Sequence, residues 1–264
     1  MNNVAVVLSH KRSQLLLDRK LTLAWVRHLK IPTYLAVRES EAEEYFYVAK
    51  AYDVTLLPMP DEQVQDSGLT RDYLVDYFHM KGAEKLSLLD DDLIFSYRES
   101  FETKQLPKLP YEDAQKAFNE LFSIVDRETI HAGFRNRAFA QNCEKGIDYY
   151  KRILWSHTLY LPEVVAQGFK FAWEGKLMAD FHFQLSVISA GYRTATLNTF
   201  ICDDAVGPYK NGGGCNTYRT CELRTFAARK LQEKFPEAVT LRDKETPDGW
   251  CEDVTVRFGN ARTK

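Results

Sequence analysis

Lys85-Leu86-Ser87-Leu88-Leu89-Asp90-Asp91-Asp92-Leu93-Ile94 sets three consecutive carboxylates between two apolar runs. The residues up to Leu89 read as a buried strand, and three charges in succession cannot continue a strand covered on both faces, so it stops at Asp90. An acidic turn or helix cap would suit an isolated aspartate pair. Three aspartates after an apolar strand call for a compensating charge. A hard divalent cation, Mn²⁺ or Mg²⁺, is the economical one, because it takes oxygen ligands, bridges to a diphosphate and acts as a Lewis acid on it.

Toward the N-terminus the same alternation repeats. Val4-Ala5-Val6-Val7-Leu8 is a β-branched run ending at Ser9-His10-Lys11-Arg12, and an amphipathic stretch from Leu15 to Leu29 predicts a helix. Pro32 precedes a second strand, Thr33 to Val37, and the acidic Glu39–Tyr45 segment opens a second helix with carboxylates in its first turn, where the helix dipole favours them. Val54 to Leu57 is a third strand, and Gly68-Leu69-Thr70-Arg71 leads into a helix ending near Met80. Strands and helices at this spacing predict an α/β chain with a mainly parallel sheet flanked by helices. Such sheets bind ligands beyond the carboxyl ends of their strands, where Ser9–Arg12 and the three aspartates both fall.

After Asp92 the pattern is less regular. Lys104 to Pro110 reads as a loop, Tyr111 to Val125 as a helix, Gly168 to Trp173 as a short strand, Asp180 to Ala190 as a helix and Arg193 to Ile201 as β structure. Gly212-Gly213-Gly214 is a flexible element, Cys221 to Lys234 a final helix and Val254 to Val256 a last strand. The expected organisation is one domain over residues 1–264, with the ligand-binding strand ends in its first half, 1–95, and a smaller C-terminal part added within its second half, 96–264.

The chain has 264 residues, 45% of them hydrophobic and 27% charged, enough for one large core. No stretch approaches a membrane span or a secretory signal, which places the chain in a cytoplasm and away from a membrane. Five cysteines, an odd and scattered set, make neither a disulfide framework nor a zinc knuckle. A net charge of −2 argues against a protein that holds nucleic acid by bulk electrostatics alone, though a local basic strip stays open, with Arg135–Arg137, Lys145–Arg152 and Arg262–Lys264 as candidates, each set against a plain solvated face.

With these residues in view, the sequence resembles the GT-A glycosyltransferases, whose Asp-x-Asp motif sits at this place in the fold. Asp90 and Asp92 match its outer positions. The resemblance implies that Asp90 contacts the ribose or sugar, that Asp92 binds the metal with Asp90 beside it, and that Asp91 belongs to the donor site. Ser9, His10, Lys11 and Arg12 match the loop that holds the nucleotide, and Gly68–Arg71 matches a helix start that brings Arg71 to the donor, with Asp72 where the family has asparagine. Ala179–Tyr192 resembles the acceptor-side helix, which puts Asp180 in the catalytic-base position; Ala179 replaces the usual glutamate. His182 is a candidate third metal ligand, set against a packed core histidine. Lys210, Gly213 and Arg219 around the triple glycine suit a loop closing over the diphosphate, set against a plain flexible turn.

The layout is similar to the phage-encoded, TET-associated glycosyltransferases that modify hydroxymethylated pyrimidines in DNA. That likeness implies a UDP-sugar donor, a 5-hydroxymethylpyrimidine in DNA as acceptor and the cytoplasm of an infected bacterium as setting. Two rivals stand beside it: a GT-A enzyme acting on a protein, lipid or surface glycan, with Trp155, Tyr160 and Trp173 stacking on sugars, and a non-catalytic nucleotide- or nucleic-acid-binding module. A basic strip beside Asp180 favours DNA; a neutral aromatic groove favours glycans.

Overall fold

Strand β1, Asn3–Leu8, is flanked in parallel by β2, Thr33–Arg38, and β4, Lys85–Asp90, and β3, Thr55–Met59, extends the row beyond β2. The register sets Leu8 beside Asp90, so the loop after β1 and the aspartates emerge together. The computed structural model describes residues 2–205, 219–247 and 249–262. Its nine-stranded sheet runs β3-β2-β1-β4-β8-β6-β9-β5, where β8 is Ser156–Tyr160, β6 Thr129–Asn136, β9 Arg193–Asp204 and β5 Leu93–Tyr97; β7, Ile147–Tyr149, also pairs with β9. The expected parallel pairing holds from β3 to β4 and again between β6 and β9, while β8, β5 and β7 pair antiparallel.

The helix expected over Leu15–Leu29 is two pieces, α1 (Ser13–Asp18) and α2 (Thr22–Val26). The restart has a purpose: the Thr22 hydroxyl donates to the Asp90 carbonyl at 2.7 Å and accepts from the Leu93 amide at 2.8 Å, which pins the aspartate turn. α3 (Ala42–Tyr52) and α4 (Ser67–Met80) follow as expected, as does α5 (Ala114–Ile124). Trp25, Phe95, Phe118 and Phe134 join α2, β5, α5 and β6 through edge-on contacts of 5.2–6.1 Å, each contributing about 0.5–1.5 kcal/mol beyond the area it buries.

Gly168–Trp173, expected as a strand after the short helix α6 (Leu161–Ala166), is irregular. Asp72 accepts the Phe171 and Ala172 amides at 2.7 and 3.0 Å, taking backbone groups that a sheet would need. Gly68 permits that approach, because a Cβ there would lie 2.8 Å from the Ala172 Cα.

Helix α7 (Ala179–Ser189) is buried on nearly all sides. Phe183 and Val187 face the main core; Phe181, Leu185 and Ile188 face a second one built with α8 (Cys221–Lys234) and the antiparallel hairpin of β10 (Val239–Thr246) and β11 (Gly249–Val256). α8 matches its expected bounds; the final strand is longer than expected and is paired. Among the described residues no helix is long and apolar enough to cross a membrane.

Candidate active site

A cavity of about 410 Å³ opens at the carboxyl ends of β1 and β4 and is closed on the far side by the start of α7 and the β10–β11 hairpin. Ser9, His10, Arg12, Arg71, Asp90, Asp91, Asp92, Asp180 and Arg219 all line it, so residues far apart in sequence meet where the parallel strands end. Lys11 is exposed and absent from the wall; its amide bonds Glu41 at 3.1 Å, and its left-handed backbone (φ 56°) turns the chain there. Lys210 and Gly213 lie outside the described residues.

The three aspartates are held by two arginines. Arg71, itself buried, pairs with Asp90 at 2.8 Å and lies over the Phe171 ring. Arg12 pairs with Asp91 at 2.7 Å and Asp92 at 2.8 Å through one nitrogen. A relay fixes this geometry: the Arg12 amide donates to the Tyr45 hydroxyl at 2.8 Å, Tyr45 to the Ser9 hydroxyl at 2.8 Å, and Ser9 to Asp91. Burial opposes the Arg12 charge, but attraction to Asp91 and Asp92 outweighs it and its pKa rises.

Two guanidiniums for three carboxylates leave negative charge unmatched. Burial pushes the Asp90 carboxyl up to about 6, with Asp180 and Asp91 adding repulsion. Burial pushes Asp92 up to about 8, reinforced by Asp91, Asp90 and Asp204. Hard oxygen donors with surplus negative charge suit a divalent cation in chemistry. Their placement is another matter: Arg12 sits between Asp91 and Asp92, and among the described residues no three His, Cys, Asp or Glu side chains converge as ligands of one ion.

His182 is not brought to the aspartates. Its ring stacks on Trp173 at 4.9 Å, its Nε2 faces the Lys234 ammonium at 2.7 Å, and burial followed by that cation pushes its pKa down to about 4. Helical periodicity explains this, since residues two apart on α7 point to different sides and Asp180 takes the cavity side. Asp180 lies in the first turn of α7, where the helix dipole favours a carboxylate.

A family model described as TET-Associated Glycosyltransferase matches residues 4–213. The chain belongs to that family. No curated protein matches the sequence. Among solved structures, this TET-associated glycosyltransferase is similar to Staphylococcus aureus TarS 1-349 in complex with UDP-GlcNAc, at 10% identity and TM-score 0.54 over 88% of this chain and 67% of that one. It is similar also to TarS 1-349 alone, at 10% identity and TM-score 0.51 over 88% and 66%. The chain thus spans about two thirds of the TarS chains it matches, and the shared architecture is the GT-A fold.

Several wall residues of this glycosyltransferase carried no motif in the sequence. Arg152 lies over the Phe181 ring at 4.5 Å and feels the charges of Asp180 and Asp253. Arg224, Arg242 and Lys244 enter from α8 and β10, and Asp204 from the end of β9, whose neighbour Ala205 donates its amide to the Asp92 carbonyl at 2.9 Å. The basic segments singled out in sequence fare differently: Arg135 pairs with Asp148 and Arg137 with Asp203, and among their described residues only Arg152 reaches the cavity. Of the three candidate stacking aromatics, Trp155 lines the cavity, whereas Trp173 packs on His182 and Tyr160 is buried in β8.

Proposed function

We propose that the chain transfers a sugar from a UDP-sugar to the hydroxyl of a 5-hydroxymethylpyrimidine in phage DNA, in the cytoplasm of the infected bacterium, with Mn²⁺ or Mg²⁺ as cofactor. The observation that carries this reading is the pairing, in one cavity, of the Asp90–Asp92 strand end with Asp180 and a wall of cations, Arg152, Arg219 and Arg224 among them. Family membership, with its TET association, supports DNA as acceptor, and UDP-GlcNAc in the TarS structure supports a UDP-sugar donor. The family also sets aside the non-catalytic module.

In this reading the nucleotide lies against Ser9, His10 and Arg12, and Asp90, oriented by Arg71, accepts hydrogen bonds from the ribose or sugar. An ion held by Asp92 and Asp90 would supply Lewis-acid neutralisation of the departing nucleoside diphosphate. Arg12 and Arg219 lie on the same cavity, and their positive charge meets the negative charge that grows on the leaving group. Asp180 accepts the proton of the attacking hydroxymethyl oxygen when transfer inverts the anomeric centre, and the cavity shields the donor from water. The hydroxymethyl group projects into the major groove, so the base is reached there or by extrusion.

The test is metal-dependent release of nucleoside diphosphate from a panel of nucleotide sugars, with and without DNA carrying 5-hydroxymethylcytosine or 5-hydroxymethyluracil. Release stimulated by modified DNA alone is the expected outcome. Donor hydrolysis indifferent to DNA would refute the DNA acceptor and turn attention to a glycan, for which Trp155 offers a stacking face.

A further inference from the structure

Asp253 on β11 stands opposite Arg242 on β10 and gathers three cations at one carboxylate oxygen: Arg224 at 3.1 Å, Lys244 at 3.1 Å and Arg242 at 3.7 Å. All four residues line the cavity. Asp253 and Arg224 are the buried members, at 8% and 11% side-chain exposure, while Arg242 and Lys244 are 54% and 40% exposed. Were Arg224 assigned wholly to Asp253, Arg242 and Lys244 would still stand side by side in excess over that single acid. Strand alternation places the other acids of the two strands themselves, Asp243, Glu245 and Glu252, on the opposite face, and Glu252 is tied there to Arg229. Two like charges held alongside each other toward a cavity gain little from a surface ion pair, and they complement an anion entering between them.

We infer that Arg242 and Lys244, aligned by Asp253, form a subsite for the phosphodiester backbone of the acceptor strand, next to the point where its hydroxymethyl group meets Asp180. The inference rests on the DNA reading above and deepens it. The hairpin grips the strand, and Arg152 lines the same cavity as Asp180 and Asp253 and feels both charges. In a chain of net charge −2 such gripping must be local, and these are separate side chains brought together by the hairpin.

The experiment compares wild type with the double variant Arg242→Ala/Lys244→Ala, and with Arg242→Lys/Lys244→Arg as a charge-preserving control. Fluorescence anisotropy of labelled 5-hydroxymethyl DNA is followed across a salt series, and KM is measured separately for DNA and for nucleotide sugar. Both side chains are partly exposed and outside the second core, and circular dichroism confirms folding of each variant. The alanine variant is expected to bind DNA about tenfold more weakly, with a log–log salt slope smaller by about two, and to show its KM change on DNA. The control keeps the slope. Unchanged DNA affinity and slope in the alanine variant, while wild type transfers sugar to DNA, would overturn the subsite. A KM change confined to nucleotide sugar would overturn it too, by giving these cations to the donor diphosphate. Wild type that transfers to no DNA would instead sink the DNA reading.

Discussion

Replacing Arg12 by methionine keeps much of the side chain's apolar length and removes the guanidinium that pairs with Asp91 and Asp92 at 2.7 and 2.8 Å. The pair is well buried, with Arg12 at 12% side-chain exposure, and breaking such a pair from one side costs about 3–5 kcal/mol because the partner charge stays behind. The loss depends on pH. Burial raises both carboxyl pKa values, that of Asp92 to about 8, so the ion pairs are complete only above that value and weaken as pH falls. Urea unfolding should therefore show the largest loss near pH 9 and a smaller one near pH 6. At about 2–4 °C per kcal/mol, Tm at pH 9 should fall by roughly 6–20 °C. Arg12 and a divalent cation compete for the same negative charge, so added Mn²⁺ should raise Tm more in Arg12→Met than in wild type. A loss equal at both pH values, or an equal response to Mn²⁺, would refute this account of the aspartate cluster.

Asp180→Asn should lower kcat for sugar transfer by about 10²–10⁴-fold with the KM for donor unchanged, as steady-state kinetics with modified DNA would show. Asp92→Ala should abolish metal-dependent donor binding while the fold remains, and calorimetry showing unchanged donor affinity with metal present would remove the assignment. His182→Gln should leave that binding as in wild type, since the imidazole faces Trp173 and Lys234; a large loss of Mn²⁺ affinity would return His182 to the metal site. Gly68→Ala should destabilise by about 1–3 kcal/mol in chemical denaturation, because the new methyl meets the Ala172 backbone at 2.8 Å.

The first ninety residues were legible because parallel strands buried on both faces spell continuous apolar runs, and β1, β2 and β4 do so. The sheet's middle was illegible for the opposite reason. β6 and β8 are entirely buried yet contain Thr129, His131, Arg135, Asn136, Ser156, His157 and Thr158. Several of their polar groups meet across strands, as when the His131 and His157 rings stack with nitrogens 3.0 Å apart and burial drives both pKa values far down. No periodicity announces such a strand. Within the site, Ser9, Arg12 and the aspartates were legible because they close readable strands, and Arg71 because it opens a readable helix. Arg152 falls in a basic segment visible in the sequence, but Arg224, Arg242 and Lys244 were not legible as part of the site, since they come from α8 and β10 and meet the cavity only after folding. Asp72 was read as a departure from a family pattern, and its two backbone hydrogen bonds give it a structural task instead.

The family match ends at residue 213, and the hairpin and its cations lie beyond it. The cavity is therefore closed by two stretches of one chain: the aspartates, Asp180 and Arg152 come from within the matched span, and Arg224, Arg242 and Lys244 come from beyond it. A protein cut back to the matched span would keep the aspartates and lose the wall opposite them, so the chamber exists only while the last helix and hairpin stay folded against helix α7.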